Sequence, residues 1–440
     1  MSTHLDIPRP TDRKSTQRER LIAGMIEAAH RHGYAGASVS QVIALAGVSR
    51  PTFYEYFADK DDCFLATHRA HARLLVKDIS RAVEAAPPEQ AVQTAIRRFI
   101  ELAEEHPDRA GFLADATMAG GWRALDERDR MINEISQVIG QARARAPAHT
   151  LTPDLPVQVV LGAVRWVLAP LLRRGERDLT TLADELTDWV SSYEHPNGEH
   201  RWHMLEPSVA LVPSPHESQI SLRPPPSIPR GRSTLSKSEI ARNQRDRILY
   251  ATADVAAVKG YNGTTIADIT ASASVDRRVF YKHFRDKQQA FLAVHELCIQ
   301  QLMALAASAF FSGATWPERT WEAMRACTQF QATHPVVAHI ALVESHAVGV
   351  PAIQRIDDSR AAFTIFLQEG NQHTSHPISQ TVMEAIGGSV FEICYYQARM
   401  GQSDQMPHLA CNGAYIVLAP FIGPTAANEF IDEKLRETAL

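Results

Sequence analysis

The chain has 440 residues, 45% of them hydrophobic, and a formal net charge of −5 at neutral pH. This length allows two or three domains with ordinary cores, and the mildly acidic balance excludes a protein that is basic over its whole surface. Any contact with nucleic acid must therefore come from local basic patches. The five cysteines are an odd number without a C-x-x-C pair, which argues against a disulfide framework or a cysteine zinc site.

No export or membrane signal is evident in the sequence. The amino terminus has no apolar segment of the kind found in secretory signals, and the most apolar long run, residues 157–172, is interrupted by Gln158 and Arg165. We therefore predict a cytoplasmic protein without a membrane partner. Residues 1–14 are polar and carry three basic side chains, Arg9, Arg13 and Lys14, which are typical of a flexible arm.

Two helices are predicted first along the chain. From Ser15 the apolar residues fall on one helical stripe, and Gly33 suits the left-handed conformation that often ends a helix. Ser38 stands three residues before Gln41, which is the spacing of a capping box and predicts the start of a second helix. Gly47 then predicts the turn into a third helix.

The third helix is predicted to bury one face and expose the other. Ser49 can cap it, because a short polar side chain accepts hydrogen bonds from the free N–H groups of a first turn. Phe53 and Phe57 lie four residues apart on one face and would hold the helix against a small core. Asp59 precedes a long amphipathic fourth helix that runs toward Val83.

Residues 89–193 contain only helical patterns, separated by proline or glycine. The last two patterns are the most apolar, which suits burial against another pair of helices. Residues 195–236 then change abruptly to prolines among serine, arginine and histidine, and predict a linker that polyproline II stiffens locally. The helices predicted before it are Ala91–Glu104, Ala110–Met118, Asp126–Ala144, Val157–Arg173 and Leu179–Tyr193.

After this linker the chain repeats itself. Val275–Lys287 aligns without a gap on Val48–Lys60, and Asp276 takes the place of the capping Ser49. Thr265 and Asp268 repeat the capping-box spacing of the second helix. We therefore interpret the chain as an internal duplication.

The duplication predicts an all-α protein of two tandem units. Each unit would consist of a three-helix domain followed by a longer, all-helical domain. The predicted boundaries are 15–65 and 66–194 in the first unit, 195–236 for the linker, and 237–292 and 293–424 in the second unit.

Two segments carry a resemblance to a known family. They read S-V-S-Q-V-I-A-L-A-G-V-S-R-P-T-F-Y-E-Y-F-A-D-K and T-I-A-D-I-T-A-S-A-S-V-D-R-R-V-F-Y-K-H-F-R-D-K. Both are similar to the amino-terminal signature of the TetR family of bacterial transcriptional regulators. One departure is Ser274, which stands where Gly47 supports the turn of the first copy. A positive φ at this position would cost a serine about 1 kcal/mol.

The resemblance implies that each unit is a three-helix helix-turn-helix DNA-binding domain followed by a helical ligand-binding and dimerisation domain. It also implies a repressor that binds double-stranded DNA and is released by a small-molecule effector. An arginine on a helix in the major groove can read guanine, and a threonine or valine can contact a thymine methyl. Tyrosine, histidine and lysine side chains, and amides at the start of the second helix, suit phosphates. The predicted contacts are Ser38, Arg50, Pro51, Thr52, Tyr54, Tyr56 and Lys60 in the first copy, and Thr265, Arg277, Arg278, Val279, Tyr281, His283 and Lys287 in the second.

Other function classes are less well supported. The chain has no Gly-rich phosphate loop, G-x-S-x-G or H-E-x-x-H motif, so we predict neither an enzyme nor a bound cofactor. The main alternative is a small-molecule sensor or interaction protein in which the second helix-turn-helix is structural.

Several individual residues have two interpretations. His68 and His71 have a spacing that can bind metal, although a solvated helix face is the interpretation we favour, and no metal site is predicted. Basic residues in and after the linker suit either solubility or a minor-groove arm: Arg223, Arg230, Arg232, Lys237 and Arg242. Four tryptophans suit either the core or an effector pocket: Trp122, Trp166, Trp316 and Trp321.

The chain is predicted to be its own dimer. Its two apolar helices at 157–173 and 179–193 would pack against their counterparts at 378–396 and 409–420. Two unlike recognition helices would then read an imperfect palindrome. A homodimer with four recognition helices is the alternative to this intramolecular pseudo-dimer.

Overall fold

A computed structural model describes residues 16–196, 225–227 and 235–438. The predicted basic arm at residues 1–14, and most of the predicted linker with Arg223, Arg230 and Arg232, lie outside these residues. Contacts within the chain define two compact units, residues 1–200 and 201–440. The division falls inside the segment predicted as a linker.

The first unit is helical except for two three-residue strands among its described residues. Short 3-10 helices occur at Pro88–Gln90 and Ala116–Ala119. Strand β1, Leu151–Pro153, pairs antiparallel with strand β2, Glu194–Pro196. The helices are α1 Gln17–Gly36, α2 Val39–Ala46, α3 Arg50–Tyr56, α4 Lys60–Ala85, α5 Ala91–Glu105, α6 Pro107–Ala114, α7 Trp122–Arg143, α8 Val157–Arg173 and α9 Thr180–Ser191.

The second unit repeats the order of helices. Its 3-10 helices are Glu344–Val348, Glu369–Gln372 and Ser403–His408. The α-helices are α10 Lys237–Gly263, α11 Ile266–Ala273, α12 Arg277–His283, α13 Lys287–Phe310, α14 Trp316–Thr333, α15 Pro335–Leu342, α16 Val350–Phe363, α17 Ile365–Gln368, α18 Gln380–Arg399, α19 Leu409–Ile422 and α20 Pro424–Thr438. The predicted all-α fold class is thereby confirmed.

Side-chain caps fix the starts of the short helices. Gln41 N donates to Ser38 Oγ at 3.3 Å, and Ser38 N donates to Gln41 Oε1 at 2.8 Å, which confirms the predicted capping box. Thr265 and Asp268 form the same pair of hydrogen bonds at 3.1 and 3.0 Å. These bonds satisfy backbone groups that the first turn of a helix leaves without an intrahelical partner.

In each unit one long helix connects the helix-turn-helix to the domain behind it. Helix α4 packs against α1, α5 and α7, and α13 packs against α10, α14 and α15. By length and composition alone α13 could cross a membrane, with a mean hydropathy of 1.5 over its most apolar window. Helix α13 packs against α10 and α14, and this packing accounts for its apolar side chains as part of a domain core.

The segment at Glu194–Pro196 differs from the prediction. We expected the linker to begin at residue 195, but His195 and Pro196 belong to β2. Asp154 N donates to Tyr193 O at 2.7 Å and extends the pairing with β1. A strand of three residues is too short to show an alternating pattern, so no periodicity indicated it.

The last helix also lies beyond the predicted boundary. The second ligand domain was expected to end at residue 424, whereas α20 continues to Thr438 and packs against α19. Ala427 and Ile431, four residues apart, are buried. Ala427, Ile431 and Leu435, each four residues apart, were the available signal.

Candidate DNA-binding surface

Helix α3 is fixed by its buried face and presents the opposite one. Thr52 N donates to Ser49 Oγ at 3.3 Å, as predicted for the cap. Phe53 and Phe57 are buried, and their ring centroids lie 5.7 Å apart. Tyr54 and Tyr56 point outward, with exposed fractions of 51% and 41%. The helix is therefore short but firmly attached to its domain.

Helix α12 repeats this arrangement in the second unit. The Asp276 carboxylate accepts hydrogen bonds from Arg278 N at 2.9 Å and Val279 N at 3.1 Å. Phe280 and Phe284 are buried, and Tyr281 is 48% exposed, close to the value for Tyr54. Both copies thus offer an outward face on a capped, core-anchored helix.

The turn before each recognition helix has a left-handed residue. Gly47 has φ 62° and ψ 41°, and Ser274 has φ 49° and ψ 46°. The position therefore requires positive φ in both copies. Glycine accepts this conformation without cost, whereas a serine side chain is strained in it.

The predicted base-reading arginines are exposed in both units. Arg50 Nη2 donates to Ser40 Oγ at 3.1 Å, which holds its guanidinium beside α2. Arg277 Nη2 donates to Tyr281 Oη at 3.2 Å, and its Cζ lies 5.6 Å from the centroid of that ring. Surface bonds of this strength are easily exchanged for bonds to a base. Arg278 and Pro51 lie beside them and are also exposed.

The predicted contacts that have internal roles are Ser38, Thr265, Thr52 and Val279. Ser38 and Thr265 are exposed but use their hydroxyls in the capping boxes. The Thr52 hydroxyl lies 2.8 Å from that of Ser49. Val279 is half-buried and packs against the core of the second unit, which leaves only part of its side chain available to a thymine methyl.

The two predicted phosphate-binding lysines have partners within their own domains. Lys60 Nζ donates to Tyr34 O at 3.1 Å and lies 4.1 Å from the Tyr34 ring centroid. Lys287 Nζ donates to Tyr261 O at 2.7 Å and Thr264 O at 2.8 Å, and lies 4.3 Å from the Tyr261 ring centroid. Burial lowers the pKa of both amines. Each lysine joins the end of the first helix of its unit to the start of the long fourth helix.

His283 is less suited to a phosphate than Tyr56, whose place it takes in the second copy. The ring is half-buried, and burial, Arg245 and Lys282 all lower its pKa. The imidazole is therefore neutral at pH 7 and could act only as a hydrogen-bonding group.

Sequence reasoning missed one basic residue in each unit. Arg18 Cζ lies 5.6 Å from the Phe57 ring centroid, and Arg245 Cζ lies 5.7 Å from that of Phe284. These arginines extend the basic surface from the recognition helix onto the first helix. The alignment of the two copies could have indicated them, since Arg18 and Arg245 occupy the same aligned position.

The two recognition segments differ in charge. Residues 49–58 contain one arginine and one glutamate, whereas residues 276–285 contain three arginines, one lysine and one aspartate. Attraction to phosphate is local and additive to a first approximation. The second segment is therefore the more strongly attracted to a DNA backbone.

The histidines at the spacing of a metal site are buried, so the favoured interpretation of a solvated face is wrong. His68 is 0% and His71 3% exposed, and burial is the main cause that lowers their pKa values to about 4 and about 3. In the part of the chain that the structure describes, no three His, Cys, Asp or Glu residues are grouped as metal ligands. His295, at the position corresponding to His68, is buried in the same way.

Comparisons with known proteins agree with this geometry. The sequence pattern described as "Bacterial regulatory proteins, tetR family" matches residues 21–67 and again 248–294. These ranges cover the helix-turn-helix and the start of the long helix in each unit.

Curated relatives are regulators of about half this length. An uncharacterized HTH-type transcriptional regulator of Mycobacterium tuberculosis is 27% identical over 186 residues, 40% of this chain and 75% of its own length. The transcriptional repressor AcnR of Corynebacterium diphtheriae is 24% identical over 36% of this chain and 81% of its own. The activator FasR of Mycolicibacterium smegmatis is 26% identical over 31% and 57%. These relatives are DNA-binding regulators and not enzymes.

Proposed function

We propose that both DNA-binding domains of this chain read one operator. The chain belongs to the tetR family of bacterial regulatory proteins and carries the DNA-binding domain of that family twice. Family membership supports DNA binding and transcription regulation. The observation that carries the proposal further is the outward face shared by α3 and α12. In each, an exposed arginine and an exposed tyrosine lie opposite two buried phenylalanines.

The proposed contacts divide into two kinds. Arg50 and Arg277 bond to guanine in the major groove, and Thr52 and Arg278 contact neighbouring bases. A second group sets the register on the backbone by contacting phosphates. Its members are Ser38, Tyr54, Tyr56, Thr265, Tyr281 and His283, with Arg18 and Arg245 added from their place beside the recognition helices. Pro51, which has no N–H to donate, lies next to Thr52 and would contact a neighbouring base.

The proposed assembly is an intramolecular pseudo-dimer. Helices α8 and α9 would pack against α18 and α19, because α8 and α19 are apolar over nearly their whole length and the two pairs hold corresponding places in the duplication. Half-sites one turn of DNA apart, about 34 to 36 Å, would be read by unlike helices. The operator would accordingly be an imperfect palindrome.

The proposed regulation is repression relieved by a small molecule in the cytoplasm. The name of one relative, the repressor AcnR, supports this direction of regulation, whereas another, FasR, is named an activator. The long helix α4 supports the coupling, since one continuous helix of 26 residues connects the DNA-binding domain to the ligand domain. A ligand that displaces α4 would therefore displace the recognition helix with it.

Selection of bound sequences from a random duplex pool tests the DNA-binding proposal. Arg50→Ala and Arg277→Ala should each weaken binding to the selected duplex by about 1 to 3 kcal/mol and relax one position in one half-site only. Arg73→Ala, at an exposed arginine of α4, is the matched control and should change neither. A protein that enriches no sequence would contradict the proposal.

Light scattering tests the assembly, because a pseudo-dimer has the 48.7 kDa mass of one chain. A stable species of twice that mass would replace it with a homodimer carrying four recognition helices.

The second candidate function, a sensor with a structural second module, is favoured by the strained Ser274. Arg277→Ala distinguishes this candidate from the first, since a purely structural second module predicts no change in DNA affinity or sequence preference.

A further inference from the structure

The first ligand domain contains a small cavity between α4, α5, α6, α7 and α8. Its volume is about 30 Å³, which is room for one or two water molecules. The lining is apolar for the most part, with Leu75, Phe99, Met131 and Ile135 among its side chains. A ligand must widen it, and the methionine is a side chain that adapts readily to a new shape.

Two arginines line this otherwise apolar cavity. Arg128 is 1% exposed and Arg165 is 7% exposed. Arg128 Nη1 lies 3.1 Å from Asp129 Oδ1, and the Arg165 Cζ lies 5.1 Å from the Trp166 ring centroid. A buried guanidinium is costly to desolvate and remains charged at every physiological pH. Asp129 pairs with Arg128, and the cavity lining itself holds two guanidinium groups and no carboxylate, which favours a negatively charged group on a ligand.

The corresponding positions in the second unit are apolar. Arg128 lies seven residues after Gly121, a positive-φ glycine before α7, and Ile356 lies seven residues after the positive-φ Gly349 before α16. The residue at the other position is also changed, because Arg165 precedes Gly175 by ten residues and Phe391 precedes Gly401 by ten. This pair of arginines therefore belongs to the first unit and is not an inherited feature of both.

We propose that the first ligand domain binds an apolar molecule that carries one carboxylate, with the carboxylate facing Arg128 and Arg165. The second ligand domain does not share this site. The inference rests on the proposed function, since it names the chemical class of the effector and assigns its binding to one of the two units.

Calorimetric titration of the full chain with octanoate, octanol and octylammonium tests this inference. The three probes share an apolar chain and differ in the charge of the head group. Octanoate should bind with one site per chain and at least about tenfold more tightly than the other two, the factor expected from a charge-assisted hydrogen bond. Equal affinities, preference for the amine, or two equivalent sites per chain would overturn the proposal.

Variants assign the site. Arg128→Met and Arg165→Met should each weaken octanoate binding about tenfold or more and leave octanol binding within a factor of about two. Arg165→Lys should restore part of the affinity, since it keeps the charge. Arg73→Met, an exposed arginine of α4 outside the cavity, is the control. Unchanged octanoate affinity in both Met variants would refute the assignment. If either variant fails to fold, the comparison of the three probes on the unmodified chain remains the test.

The selected duplex separates this inference from the proposed function. Specific DNA binding together with no preference for octanoate would remove the effector class and leave the regulator in place. Selective octanoate binding in a chain that enriches no duplex would retain the carboxylate site and remove the operator-binding role.

Discussion

Replacing Lys60 or Lys287 by methionine should destabilise a DNA-binding domain rather than remove a phosphate contact. Lys60 donates to one backbone carbonyl and Lys287 to two, and each ammonium lies about 4 Å from a tyrosine ring. A hydrogen bond from a charged group contributes about 1.5 to 3 kcal/mol, which half-exposure reduces to about 1 kcal/mol, and the cation–π contact adds about 0.5 to 1 kcal/mol. We expect a loss of about 1.5 to 2 kcal/mol for Lys60→Met and about 2.5 to 3 kcal/mol for Lys287→Met.

Native-state hydrogen exchange measures this loss separately in each unit, because the amides of α2 and α11 report their own domains. Binding to the selected duplex at several salt concentrations is measured in parallel. Lys282→Met is the matched control, since this exposed lysine of α12 should lower the salt slope by about 0.9 without changing protection. The structural role of Lys287 would be refuted if Lys287→Met behaved like Lys282→Met, with unchanged amide protection and a salt slope lowered by about 0.9.

Two further changes test other features of the structure. Ser274→Gly should stabilise the second DNA-binding domain by about 1 kcal/mol, because it removes a side chain from left-handed backbone. Gly47→Ser should destabilise the first domain by a similar amount. Hydrogen exchange of the α11 and α2 amides measures both changes. The pKa of His68 is lowered to about 4 in the native chain, so between about pH 6.5 and 4 its imidazole is protonated in the unfolded chain and neutral in the native one. The free energy of unfolding therefore decreases as the pH falls through this range. His68→Phe should remove up to about 3 kcal/mol of this acid destabilisation near pH 4 in urea titrations.

The local chemistry of the recognition helices was predictable from the sequence. Caps at Ser49 and Asp276 and the buried pairs of phenylalanines depend on residues within a few positions of each other, which a sequence displays directly. The left-handed turn at Ser274 followed from its alignment with Gly47. The same reasoning predicted the apolar helix at residues 157–173 with its observed bounds.

What the sequence did not predict depends on contacts between distant residues. Lys60 was expected at a phosphate because it follows the recognition helix, and no local pattern indicated the carbonyl 26 residues earlier in the chain to which it donates. His68 and His71 were expected on a solvated face, since polar residues on an amphipathic helix usually are, and packing of α7 and neighbouring helices against α4 buries them. The cavity with Arg128 and Arg165 joins side chains from five helices, a combination that no local pattern indicates.

Having both DNA-binding domains on one polypeptide changes how binding responds to dilution. Regulators that assemble from two separate chains lose their paired recognition helices when the cell holds few copies, because the subunits then dissociate. Here the peptide chain keeps the second recognition helix near the first at an effective concentration that is independent of copy number. If both domains read one operator as proposed, occupancy of that operator should therefore rise with the first power of protein concentration rather than with the second.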